Sequence, residues 1–302
     1  MRFRAALTLL LITFAAASPA WAEQRVLVMG AVHDDPNSKY AQMRPIADHV
    51  QAALADRGID SVEVLIVPDQ SQMISLLRDG RIDWVSETPY TAAYLQRRAN
   101  AEFLARRWKD GNATYRSVFF ARKDSGINSL DDLKNRIVAF EHRRSTSGFF
   151  LPASMMNALE LPLDSLATPR ETPRLDTYGY VYSGNEYNSA MWVHKRLVDA
   201  GALSDSDWQN PAFFPAQFHD DMRVIATSDE LPRGVELVRS GLDPTLKRAL
   251  RDTLFGLRDA PEATAALLAY DQTAQFDALS DECLAALASI GEQLASFGEQ
   301  FP

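Results

Sequence analysis

The sequence predicts an α/β protein of two lobes, each a mostly parallel sheet flanked by helices, with a ligand cleft between them. Three observations carry this prediction. Short apolar runs alternate with amphipathic helical segments, and the alternation restarts after about residue 121. The chain has 302 residues, 46% hydrophobic and 24% charged, enough for two medium cores. No low-complexity linker separates the two units, so the chain must cross between them through ordered segments.

The elements follow in order. Val26 to Val32 reads as a buried strand, and Ala41 to Arg57 as a helix with Met43, Ile46, Val50 and Leu54 on one face, stopped by Gly58. Val62 to Val67 is a second strand. Asp69 caps the next helix, with Gln72 in the capping-box position and Gly80 at its end. Ile82 to Val85 is a short strand, and Thr88-Pro89 opens a helix with proline at its first position. In the second unit, Tyr115 to Ala121 and Ile137 to Phe140 read as strands, Ser129 caps a short helix, and Gly148 opens another. Val181-Tyr182, Ser189 to Leu197 and Arg223 to Thr227 extend it, and from Pro232 onward the chain reads as helical. Crossings near residues 121 and 226 divide the chain into a first lobe (23–121 plus 227–302) and a second (122–226). The C-terminal helices return to the first lobe.

The first 22 residues read as a cleavable export signal. Arg2 and Arg4 precede an uncharged run from Ala5 to Ala17, and Ala20-Trp21-Ala22 has the small-x-small form of a cleavage site. The run is shorter than the roughly 20 residues a membrane span needs. A free, monomeric protein of the bacterial periplasm is expected. Acids outnumber bases 40 to 31, for a net charge of −9, and this argues against a nucleic-acid scaffold. A single cysteine, Cys283, leaves no disulfide framework and no lipid attachment point at the cleavage site.

The segment Arg143-Arg144-Ser145-Thr146-Ser147-Gly148 lies between a strand and a helix. Hydroxyls and free amides converge there on the positive end of the helix dipole, which suits an oxyanion. Ser86-Glu87-Thr88-Pro89-Tyr90-Thr91 has the same form in the first lobe, and the two helix starts together suggest a clamp. Tyr40, after the loop His33 to Lys39, offers a third contact. His33-Asp34-Asp35 and His219-Asp220-Asp221 lack paired-histidine spacing, so no metal is expected, nor any cofactor. No nucleophile elbow or phosphate-binding loop is present, and Ser147 has no identifiable base, which leaves a periplasmic hydrolase as a weak alternative.

Five segments, "PNSKYAQMRPIADHV", "DGRIDWVSETPYTAAYL", "ARKDSGINSLDDLKNRIVAFEHRRSTSGFFLP", "YSGNEYNSAMWVHKRLVDAGALSD" and "RVIATSDELPRG", span Pro36 to Gly234. In this order they resemble the phosphate, phosphite and phosphonate substrate-binding proteins of ABC transporters (PhnD-like). The tail "AQFDALSDECLAALASIG" resembles the family's C-terminal end more loosely. The resemblance implies a type II periplasmic binding fold that captures a small phosphonate- or phosphite-like oxyanion by hinge closure. It implies ligand contacts from Tyr40, Tyr90, Ser145, Thr146 and Ser147, and delivery to an ABC permease; the first-lobe helix start adds Thr88 and Thr91. The alternative partner is the periplasmic domain of a histidine kinase, which would make the protein a sensor.

One departure stands out. The family typically places a histidine after the Ser-Gly of the "YSG" segment, and here Glu186 stands at roughly that position. An ionised carboxylate only accepts hydrogen bonds and repels a dianion. A cleft-facing Glu186 therefore favours a monoanion, a zwitterion or a neutral oxyacid. The other expectations for it are a pair with Arg143 or Arg144 outside the pocket, or a surface carboxylate capping the helix that follows. Arsenic oxyacids remain possible ligands of a hydroxyl site, but Cys283 lies far from these segments and argues against a thiolate-based one.

Overall fold

In the computed structural model, residues 25–159 and 161–297 are described, and the export signal expected over residues 1–22 lies outside them. The chain opens with β1 (Val26–Val32), α1 (Pro36–Leu54), β2 (Ser61–Val67), α2 (Gln70–Arg78), β3 (Trp84–Glu87), α3 (Pro89–Ala99) and β4 (Glu102–Arg107). It then crosses through β5 (Thr114–Tyr115) into β6 (Ser117–Arg122), β7 (Ile137–Phe140), α4 (Leu151–Asn157), β8 (Leu163–Ser165) and β9 (Tyr178–Tyr182). The second lobe continues with α5 (Glu186–His194), β10 (Ala200–Ser204), α6 (Asp205–Gln209), α7 (Ala216–Asp221) and β11 (Met222–Thr227). The return runs through β12 (Leu231–Pro232) into β13 (Gly234–Val238), α8 (Pro244–Gly256), α9 (Thr264–Ala269), β14 (Phe276–Asp277) and α10 (Asp281–Phe297).

Among the described residues the strands form two six-stranded sheets and one short ribbon. Their orders are β14-β4-β13-β3-β1-β2, β11-β6-β10-β7-β9-β8 and β12-β5. Both sheets are mixed rather than uniformly parallel. β1 runs parallel to β2 and β3, whereas β13 is antiparallel to both β3 and β4. In the second sheet β7 is parallel to β9 and β10, and β6 is antiparallel to β10 and β11. The antiparallel pairs arise where the chain enters and leaves each lobe. β6 and β11 both belong to the second sheet. The chain therefore crosses at the β5–β12 ribbon, just before the expected position near 121 and just after the one near 226.

Local chemistry accounts for the element limits. α1 begins earlier than its apolar periodicity suggests, because Asp35 accepts from Ser38 N at 3.1 Å and Pro36 takes the first turn. Asp69 caps α2 through Gln72 N at 2.8 Å, as expected. The region after Pro232 is not all helical. Gly234–Val238 is a central strand of the first sheet, buried at every position. Its Glu236 is satisfied by Trp84 Nε1 at 2.6 Å and Ser86 Oγ at 2.7 Å, so a carboxylate survives mid-sheet.

Each sheet is covered on both faces. Buried residues of α1, α8 and α9 pack on one side of the first sheet, and those of α2 and α3 on the other. In α10, Leu287 joins the first lobe's core while Ile290 packs with Phe149 and Phe150 of the second, so this helix straps both lobes.

Gly201 illustrates how tightly the second sheet is packed. It pairs with Phe120 on β6, and a Cβ there would sit 2.6 Å from the ring's Cζ. Gly201→Ala is expected to cost about 1–3 kcal/mol of stability by overpacking. Urea denaturation checks this, and an unchanged midpoint would show that the ring relocates freely.

Candidate functional site

The two hydroxyl-rich helix starts meet. Tyr90 N, at the head of α3, donates to Thr146 Oγ1 at 3.1 Å, and the Tyr90 ring packs on Phe150 at 4.7 Å between centroids. A second bridge joins the lobes where Arg144 pairs with Asp34 at 2.5 Å. Behind these contacts lies a cavity of about 830 Å³. A smaller one of about 360 Å³ shares Thr88, Lys109, Glu141 and Arg233 with it. The cleft thus lies between the lobes.

The chain enters the turn at Ser145 from β7. Ser145 Oγ accepts from Gly148 N at 2.9 Å, capping a π-type turn (Thr146–Phe150) that continues directly into α4. Thr146 and Ser147 are the first residues of this turn, so their amides have no intrahelical acceptor. Gly148 is required by close approach: a Cβ there would lie 2.8 Å from Glu141 Cβ and 2.9 Å from Ser145 Oγ. Ser117 Oγ donates to the Ser147 carbonyl at 2.6 Å and fixes the turn on β6.

The structure sorts the expected contacts. Thr88, Ser145, Thr146, Ser147 and Glu186 line the larger cavity, and Thr91 lines the smaller. Thr91 Oγ1 also accepts from Gln70 Nε2 at 3.0 Å. Tyr40 and Tyr90 line neither. Tyr40 is 45% exposed on α1, where its hydroxyl interacts with Arg44. The Tyr90 side chain is buried in the seam between lobes, so what it brings to the cleft is its backbone amide. Glu186 does not pair with Arg144, which is taken by Asp34.

Sequence reasoning missed several cavity residues: Lys109, Arg233, Glu141, His142 and Asp207. Lys109 and Arg233 lie beside the β5–β12 ribbon, and only the topology of the crossing brings them together. Glu141 and His142 directly precede the basic pair 143–144, and their role was hidden by it.

Glu186 and Glu141 form an interacting carboxyl pair. Burial, then the Glu141 charge and Asp207, push Glu186 up to about 7. Burial also works to raise Glu141, but hydrogen bonding and charge from His142, with help from Ser145 and Glu186, hold it below the usual range. His142 Nε2 lies 3.1 Å from Glu141 Oε1, and this contact outweighs burial to raise the imidazole. Near pH 7 Glu186 is therefore only partly ionised, and below it the cleft carries less negative charge than its carboxylates suggest.

The sign of the resulting pH dependence follows. Glu186 binds its proton more tightly in the folded state than in the unfolded chain. Its contribution to stability therefore falls as pH rises from about 4.5 to about 7. Glu186→Gln, which is always neutral, is expected to raise the Tm more at pH 8 than at pH 5. Equal effects at both pH values in differential scanning calorimetry would contradict a shared proton.

Comparison with known proteins places this geometry. Residues 29–284 match the family model described as ABC transporter, phosphonate, periplasmic substrate-binding protein. The chain is 26% identical over 258 residues to the phosphonates-binding periplasmic protein of Escherichia coli, covering 83% of this chain and 72% of that one. XAC2383 from Xanthomonas citri, solved bound to chloride, superposes with a TM-score of 0.85 at 36% identity, covering 90% of this chain and 98% of that one. The same protein solved bound to ATP gives a TM-score of 0.84 at 35% identity, with the same coverage. PhnD1 from Prochlorococcus marinus, in complex with methylphosphonate, shares the fold with a TM-score of 0.65 at 17% identity, covering 90% of this chain and 98% of that one. The chain is a member of the family of periplasmic phosphonate substrate-binding proteins of ABC transporters.

Proposed function

We propose that the protein captures a phosphonate- or phosphite-like oxyanion in the interlobe cleft of the periplasm, after export directed by residues 1–22, and hands it to an ABC permease. The observation that carries this reading is the Ser145-capped turn opening into the cavity opposite Thr88. Two free amides, a hydroxyl on Ser147 and the helix dipole all favour negative charge there. The proton shared by Glu141 and Glu186 lowers the repulsion such a ligand meets. The relative bound to chloride and to ATP also holds anions, which supports an anion-receiving cleft in this chain.

Capture works by closure. Ligand oxygens bridge the Thr146–Ser147 amides of the second lobe and Thr88 of the first, and binding shifts the population toward the closed form. The Arg144–Asp34 pair and the Tyr90–Thr146 hydrogen bond stabilise that form. Micromolar affinity corresponds to roughly −8 kcal/mol, within reach of a few charge-assisted hydrogen bonds after the cost of closure.

Ser147 provides the clean test, because its hydroxyl makes no hydrogen bond among the described residues while its carbonyl is held by Ser117. Ser147→Ala is expected to weaken methylphosphonate binding about tenfold, one hydrogen bond to a charged group, with no change in the Tm of the free protein. Isothermal titration calorimetry measures the first and a thermal melt the second. A flat response to methylphosphonate, phosphite, phosphate and sulfate alike would overturn the oxyanion reading.

A further inference from the structure

The two crossings between the lobes each carry a cation into the cavity. Lys109 follows β4 at the start of a tight turn, where Asn112 N donates to the Lys109 carbonyl at 3.0 Å. Arg233 directly follows β12, and its backbone N donates to the Ala113 carbonyl at 2.9 Å. Lys109 and Arg233 line both the 830 Å³ and the 360 Å³ cavities.

Arg233 is paired with Asp110, but the carboxylates around the two cations leave both with donor capacity to spare. Arg233 is only 8% exposed, and its Nη2 meets Asp110 at 3.1 Å while the guanidinium lies over the Tyr115 ring at 4.7 Å. Its buried Nε has no hydrogen-bond partner. The Lys109 ammonium has no hydrogen-bond or ion-pair partner among the described residues. Asp271, the carboxylate that bears most on it, is held by Lys39 at 2.8 Å and by Arg107 at 3.1 Å. Asp207 is bonded by Ser204 Oγ at 2.5 Å. A buried donor left unmade costs free energy, as Arg233 Nε is here, and the half-buried Lys109 lines the same cavities with its ammonium unpaired.

The volume points the same way. The larger cavity, about 830 Å³ and open to solvent, has room for a ligand that extends from the Ser145 turn toward Lys109 and Arg233.

We propose that Lys109 and Arg233 form a second anion subsite at the hinge, and that the ligand is an organic phosphonate or phosphoryl compound carrying a second acidic group. The inference rests on the oxyanion reading above, with the first acidic group at the Ser145 turn. Burial lowers Lys109 from its ordinary range, with Asp271 opposing and Arg233 and Arg107 adding to the shift. A ligand anion relieves that stress. Because both cations sit on the crossing segments, filling this subsite also ties ligand to hinge.

Calorimetric titration with methylphosphonate, 3-phosphonopropionate, 1,3-propanediphosphonate and 2-aminoethylphosphonate tests this. Both diacids are expected to bind at least about tenfold tighter than methylphosphonate, the gain from one further charge-assisted contact. In Lys109→Gln that ratio should fall to about one, and Lys109→Arg should restore most of it. Equal affinities for mono- and diacids, a preference for the aminophosphonate, or a ratio indifferent to Lys109→Gln would each overturn the subsite while leaving the oxyanion reading intact. Binding of none of the four would overturn both.

Discussion

One backbone amide sets the geometry on which the cleft depends. Tyr90 N–H, at the first turn of α3, reaches across the lobes to the Thr146 hydroxyl. That bond cannot form unless both helix starts point at each other, and this in turn requires each lobe to end a strand at the same edge. The Tyr90 ring, tilted against Phe150, and Ile290 from α10 seal the apolar seam behind it. The cavity is what remains on the polar side of this contact. Its shape is therefore a consequence of interlobe packing and not of any loop folded for the purpose.

On the oxyanion reading proposed above, an acidic protein draws its ligand in by local means. The net charge of −9 sets an unfavourable long-range field, screened within about 8 Å at physiological ionic strength. Inside the cleft the balance is different. Asp34 and Asp271 are neutralised by Arg144 and by the Lys39–Arg107 pair, and Glu186 beside Glu141 is only partly ionised near pH 7. The cavity lining still holds Asp110, Glu141 and Asp207, set against the dipole of the Ser145 turn and the cations Lys109 and Arg233. Glu186, which at first looks hostile to an oxyanion, becomes a hydrogen-bond donor once protonated.

Much of the fold was legible because its signals are local. The cap at Asp69, the stop at Gly58 and the proline at 89 each act within a few residues, and each stands where its chemistry places it. β4, β10 and β13 were missed because they are short and lack clean period-two alternation; β10 and β13 are buried on both faces. The site divides along the same line. Ser145 to Ser147 and Thr88 were readable as helix starts, a local pattern. Lys109 and Arg233 were not, because they are 124 positions apart and only the β5–β12 crossing unites them. Tyr40 was readable as a residue after a strand-to-helix loop, yet it lies on the α1 surface beside Arg44, away from the cavity.

The central claim is that the Ser145 turn receives the oxyanion of the ligand, and a crystal structure of the methylphosphonate complex tests it most directly. The account predicts phosphonate oxygens within hydrogen-bonding distance of the Thr146 and Ser147 amides and of Ser147 Oγ, with Thr88 on the opposite side. A phosphonate group seated instead against Lys109 and Arg233, with the Ser145 turn filled only by water, would contradict it.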